Sequence, residues 1–251
     1  MTPVDQLALF VISWLANLFS AFSGGGAGLI QLPALIFLGL PFGVALATHK
    51  VASVALGMGA TLRHLRTGAL EPRFAVFILA SGLPGVVLGA SLILALPGRP
   101  AEIALGLLTM GLGLYSLSRR GLGLESLPAH RSASGMAAGG AVLFAIGVLN
   151  GSLTSGTGLF VTLWLVRWFG LEYREAVAYT LVLVGLFWNG AGAVTLGSQG
   201  AIEWTWLPVL LAGSVIGGYM GAHLAARQGS RWIKRGYEAV TLLVGAKLII
   251  G

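Results

Sequence analysis

The chain contains no cysteine in its 251 residues. Disulfides and thiolate metal sites are excluded, and cysteine usage leaves the redox compartment open. Charge is the next scarcity. Asp, Glu, Lys and Arg make up 9% of the chain, against about 25% in a soluble domain. Stretches 74–98, 132–166 and 176–202 contain none of the four, and before Lys50 the only formal charge is Asp5. Uncharged runs of that length belong in lipid, whose hydrocarbon core a helix of ~20 residues can cross. Acidic residues are fewest, and the net charge is +7. In so apolar a chain this reflects basic cytoplasmic loops rather than affinity for nucleic acid. Strict apolar/polar alternation is missing as well, which excludes a membrane β-barrel. The first twenty residues lack the basic n-region of a signal peptide. They have a counterpart near 137–152 and read as a retained first helix.

What is present is an all-α polytopic membrane protein with a duplicated unit. Residues 68–92 match residues 200–224 at a shift of 132, pairing Glu71 with Glu203, Gly85 with Gly217 and Gly89-Ala90 with Gly221-Ala222. Ten apolar segments are expected, five per half: roughly 4–22, 27–40, 43–65, 73–96 and 101–118, then 135–153, 157–170, 174–197, 204–226 and 232–250. Residues 1–118 form the first repeat, 119–132 a solvated cytoplasmic linker, and 133–251 the second repeat. The second segment of each half is only about 14 residues, or about 21 Å at 1.5 Å per residue, short of the ~30 Å hydrocarbon core. Each follows a Gly/Ser/Thr-rich break, so each half is expected to open with a broken or re-entrant helix.

The basic residues swap between equivalent loops. Arg63, Arg66 and Arg73 follow the third segment, while the equivalent stretch 197–204 carries no base. Arg99 alone follows the fourth segment, whereas its counterpart is followed by Arg227, Arg231, Lys234 and Arg235. With basic loops inside, the halves lie in opposite orientation and both termini lie outside. That arrangement is an inverted repeat, an architecture of secondary transporters.

The candidate site lies at the breaks. Gly25, Gly26 and Gly28 precede one short helix, and Ser155, Gly156, Thr157 and Gly158 open the other. Helix N-termini carry unpaired N–H groups and about half a positive charge, and glycines let a ligand approach the backbone. This is a recipe for an anion site, although such glycines can also serve a tight turn alone. Thr48, His49 and Lys50 form the sharpest polar cluster, about two turns into the third segment. A lysine at that depth costs roughly 2.5–3.5 kcal/mol on insertion scales unless it faces a cavity or a partner; the alternative is snorkelling to the interface. Gln31, Ser53, Asn150 and Asn189 are secondary candidates, with interhelical hydrogen bonding as their default role. Ser81, Gly85 and Gly89, and likewise Gly213, Gly217 and Gly221, recur every four residues. Small residues on one face read as packing surface between the halves. Nothing in the pattern calls for a cofactor or a metal ion.

Three stretches carry a resemblance. SGGGAGLIQLPALIFLGLP follows the first helix, and VALATHKVASV leads into RHLRTGAL. The second half runs from GLEYREAVAYTLVLV to GAHLAARQGSRWIKRGYEAVTLLVGAKLI. Together they resemble the TauE/SafE family of sulfite and organosulfur anion exporters, over nearly the whole chain. The resemblance implies a multi-pass permease of the bacterial inner membrane for sulfite, sulfonates or related oxyanions, driven by a proton or sodium gradient. Many members carry Asn where this chain has His49, a departure that bears on substrate choice or proton coupling. Two other readings stand beside it: a passive anion channel, and an intramembrane serine hydrolase using Ser155 and His223.

Overall fold

A computed structural model of the protein describes residues 3–64, 70–92, 98–152, 156–198 and 202–250. Each of the ten expected segments has its helix. They are α1 (Pro3–Ser23), α2 (Gly28–Phe37), α3 (Phe42–His64), α4 (Pro72–Leu92), α5 (Gly98–Ser118), α6 (Ala133–Ser152), α7 (Thr157–Arg167), α8 (Tyr173–Gly197), α9 (Leu207–Gln228) and α10 (Ser230–Ile250). There is no strand among the described residues. Six of the helices, α1, α3, α4, α6, α8 and α9, are long and apolar enough to cross a bilayer. Helices α2 and α7 have only 10 and 11 residues. Each is stopped by a glycine at positive φ, Gly39 (φ 103°) and Gly170 (φ 72°), the residue that most readily ends a helix.

The halves are interleaved. Helix α1 packs along α9, α4 along α6, α3 along α8 and α5 along α10, so each of these pairings joins one half to the other. The recurring glycines make the first two pairings possible. A Cβ built on Gly89 would stand 2.0 Å from the Val148 carbonyl oxygen, and one on Gly217 would stand 2.4 Å from that of Trp14. Backbones at such range leave no room for a side chain, which is how small residues hold membrane helices together.

Helices α3 and α8 are the most enclosed of the six long helices. The others turn apolar side chains outward, with Leu7 of α1 and Val76 of α4 more than half exposed, as a lipid-facing surface requires. The stretch 119–132, expected to be a solvated linker, makes defined contacts with the helices beside it. The Leu127 and Ala129 N–H groups donate to Gly170 O and Phe169 O at 2.7 and 3.0 Å. The His130 ring stacks on Trp168 at 4.1 Å, and the Arg131 guanidinium lies 3.7 Å over the Phe74 ring. Aromatic surface next to the linker gives it a docking face that its polar composition conceals.

Candidate functional site

The two breaks meet backbone to backbone. Helix α1 ends where Ser20 O accepts the N–H groups of Gly24 and Gly25, at 2.9 and 2.8 Å. Gly24, Gly25 and Gly26 then all take positive φ (87°, 144° and 105°). Gly156, just before α7, is left-handed too (φ 75°). A Cβ on Gly25 would lie 2.6 Å from the Leu159 nitrogen, and one on Gly158 would lie 3.1 Å from Gly25 Cα. Cross-links pin the junction: Thr162 Oγ1 donates to Gly24 O at 2.8 Å and lies 2.9 Å from Thr180 Oγ1. Tyr237 of α10 donates to Leu159 O at 3.1 Å. The N-cap residues Ala27 and Gly156 give α2 and α7 no side-chain cap, and two positive helix ends converge at the breaks.

Between the breaks and helices α3, α6 and α8 lies a cavity of about 40 Å³. It has room for a few waters. Gly25, Gly26, Gly28, Thr157 and Gly158 form its backbone-rich side. A further part of the wall comes from α8, whose middle, Thr180–Trp188, winds as a π-helix. Such widened turns are rare and gather at functional sites. This one presents Thr180, Leu181, Val184 and Gly185 to the cavity.

His49 and Lys50 flank the space in different ways. His49 lines the cavity and is buried. Its Nδ1 lies 2.7 Å from Gln31 Oε1, and its Nε2 lies 3.1 Å from Ser53 Oγ. Gln31 Nε2 donates to Ser13 Oγ at 3.0 Å. With the Gln31 amide so oriented, His49 donates from Nδ1 and Nε2 accepts from the Ser53 hydroxyl. Lys50 is fully buried and stands one layer behind the wall. Its Nζ donates to Asn150 O (2.8 Å), Asn150 Oδ1 (3.2 Å) and Asn189 Oδ1 (3.5 Å). Asn150 Nδ2 in turn donates to Thr157 Oγ1 at 2.9 Å. Among the described residues no carboxylate pairs with Lys50. A buried cation held by neutral oxygens leaves positive potential in the neighbouring cavity, which an anion would neutralise.

A family model described as "Sulfite exporter TauE/SafE" matches residues 9–248. The chain belongs to the TauE/SafE family. It is 30% identical over 247 residues to a "Probable membrane transporter protein" of Haemophilus influenzae, covering 98% of this chain and 95% of that one. It is 28% identical over 251 residues to the "Probable membrane transporter protein YfcA" of Escherichia coli K12, covering 99% and 91%. The YunE protein of Bacillus subtilis, named in the same words, is 22% identical and covered to 96%. No solved structure matches significantly. The chain is thus a multi-pass membrane transporter of the TauE/SafE family and not an enzyme.

Within this TauE/SafE structure the sequence candidates divide. Gly25, Gly26, Gly28, His49, Thr157 and Gly158 line one cavity, and so do Ser53, Asn150 and Asn189. Ser155 and Thr154 lie outside the described residues. Gly156 sits behind the wall against Leu29. Gln31 reaches the cavity only through His49, and Lys50 only through the two asparagines. His223, the base of the hydrolase reading, accepts from Arg63 Nε at 3.3 Å.

Thr48 points elsewhere. Its hydroxyl accepts the Glu203 N–H at 3.0 Å, while the Glu71 N–H donates to Tyr179 OH at 2.7 Å. Glu71 and Glu203 are paired by the 132-residue sequence shift, and each has its N–H held by a hydroxyl from the other half of the chain, Tyr179 for Glu71 and Thr48 for Glu203. Thr48→Val is expected to cost about 1 kcal/mol of stability, the value of a lost hydrogen bond. Thermal unfolding of the purified variant would show that loss with the anion response intact. A lost anion response would instead return Thr48 to the binding site. Ser20 and the π-helical residues were not legible as wall residues.

Proposed function

We propose that this chain is a secondary transporter that exports a small oxyanion across the bacterial inner membrane by alternating access. The anion is sulfite, a sulfonate or another sulfur-containing species. One observation carries the reading: two helix N-termini meet at a cavity lined by Asn150, Asn189 and Thr157, and behind it stands Lys50, held by neutral oxygens and paired with no carboxylate among the described residues. Backbone N–H groups, the Thr157 hydroxyl and the Asn150 and Asn189 amides supply directional contacts. Lys50 and the helix dipoles supply charge. The family's description as sulfite exporters favours the sulfur-containing class.

Exchange of the two halves maps the α1–α9 pairing onto α6–α4, which supports repeats 1–118 and 133–251 as rocking units about the cavity. In this reading the repeats are inverted, the linker at 119–132 is cytoplasmic and both termini are outside. The small cavity, well under the ~300 Å³ of an ordinary ligand pocket, suits an occluded site better than an open pore. The coupling ion is a proton or sodium. Sulfite efflux from proteoliposomes is expected to saturate with concentration and to respond to an imposed pH or sodium gradient. Flux that rises linearly and ignores both gradients would identify a channel. A protein whose melting temperature responds to no oxyanion would overturn the anion reading itself.

A further inference from the structure

A second basic cavity lies away from the centre, beside the first two turns of α10. Arg231, Lys234, Arg235 and Glu238 follow the i, i+3, i+4, i+7 spacing that places side chains on one helix face. With Leu117 of α5, and Arg120, Gly121 and Leu124 of the turn after it, they line a space of about 740 Å³. Arg120 and Gly121 also border a neighbouring space of about 500 Å³ that adds Arg119 and Arg167.

The charges are not balanced within the protein. Lys234 is buried, and its Nζ lies 2.7 Å from Glu238 Oε1 and donates to Ser116 O at 2.5 Å. Ser116 Oγ donates to the same Glu238 oxygen at 2.9 Å. Glu238, the only carboxylate among the described residues lining the cavity, is therefore committed to Lys234. Among the described residues none pairs with Arg120, Arg231 or Arg235. Arg231, Lys234 and Arg235 also fall in the first six residues of α10, where the helix dipole opposes cations. A topological signal needs only basic residues in a loop; it requires neither a cavity nor this unfavourable placement.

The surroundings set the depth and polarity of the ligand. Trp232 is half-exposed, with the Arg235 guanidinium 4.9 Å from its ring, as befits a side chain at a membrane–water interface. Leu117 and Leu124 give the cavity an apolar wall, and Leu243, further along α10, is exposed. The site offers guanidinium groups for a phosphate and an apolar surface beside them. We propose that it binds the phosphodiester headgroup of an anionic phospholipid. Arg120, Arg231 and Arg235 surround the phosphate, and the two leucines lie against the start of the acyl chains. A free phosphate would use the arginines and leave the apolar wall bare.

The test uses the full chain in neutral detergent, titrated with phosphatidylglycerol, phosphatidylcholine or inorganic phosphate, with lipid retention and thermal unfolding as readouts. Phosphatidylglycerol is expected to be retained and to raise the melting temperature, and the other two are not. Each arginine lost should weaken phosphatidylglycerol binding about fivefold. The Arg231→Gln/Arg235→Gln pair should thus lose roughly thirtyfold, while Arg73→Gln, at the exposed start of α4, loses nothing. Should the double variant fail to fold, Arg120→Gln alone must show the fivefold loss. Equal retention of phosphatidylglycerol by wild type and variants would overturn the proposal. So would equal protection by inorganic phosphate. Neither outcome touches the central cavity, whose anion response is read separately with Lys50 intact.

Discussion

Lys50→Met is expected to abolish the thermal stabilisation that sulfite and sulfonates confer, while the protein itself stays folded. Methionine nearly matches the length of the lysine stem and fills the space against Gly192, where a Cβ would come within 2.7 Å of Lys50 Cδ. It also removes a buried cation whose desolvation no ion pair offsets. The basal melting temperature should therefore change little. It loses the hydrogen bonds to Asn150 and Asn189 and gains relief from burying a charge. Anion affinity should fall much further. At an effective dielectric of 20 and a separation of ~7 Å, one unit charge contributes about 2.4 kcal/mol, or roughly fiftyfold in affinity. A thermal-shift titration of both proteins against sulfite, sulfonates and chloride would measure this. Stabilisation that survives in the variant would remove Lys50 from the site and leave the helix N-termini as its only source of charge.

Gly25→Ala should be the more damaging change to the fold. Its φ of 144° is one that only glycine adopts without strain. Its new methyl group would stand 2.6 Å from the Leu159 nitrogen and 2.8 Å from Gly158 C. Neither neighbour is a flexible side-chain tip; both are backbone at the start of α7. Strain of about 1–3 kcal/mol adds to overpacking of a similar size, which together approach much of a marginal stability. The expected result is little folded protein on size-exclusion chromatography, with anion binding lost in whatever survives. Gly111→Ala is the matched control, because a Cβ there meets open space on a regular helix and alanine favours the helix. Normal yield and normal anion response from Gly25→Ala would show that the two breaks do not pack as described.

The helices were legible because their signals are local. Uncharged runs mark the long spans, and clustered glycines mark the breaks before α2 and α7. The four-residue spacing of Gly85 and Gly89, and of Gly217 and Gly221, marks the faces on which α4 meets α6 and α9 meets α1. Each of these follows from the chemistry of a few adjacent residues, whatever the rest of the chain does. The linker was less legible. Its polar residues speak for solvation, and the rings it leans on, Phe74 and Trp168, lie far away in sequence.

The polar cluster shows the limit most clearly. The sequence by itself placed Thr48, His49 and Lys50 together at one depth of one helix. It could not set which of them faces the cavity, because successive residues point about 100° apart and the rotation of α3 is fixed by its neighbours. Packing against α8 and α9 turns His49 into the wall, sends Thr48 to the Glu203 N–H and puts Lys50 behind Asn150 and Asn189. The π-helical stretch of α8 likewise has no composition of its own to announce it. Composition and spacing therefore determined what kind of protein this is and where the chain breaks. Only the tertiary structure decided which side chains share the cavity, since that depends on how helices distant in sequence rotate against one another.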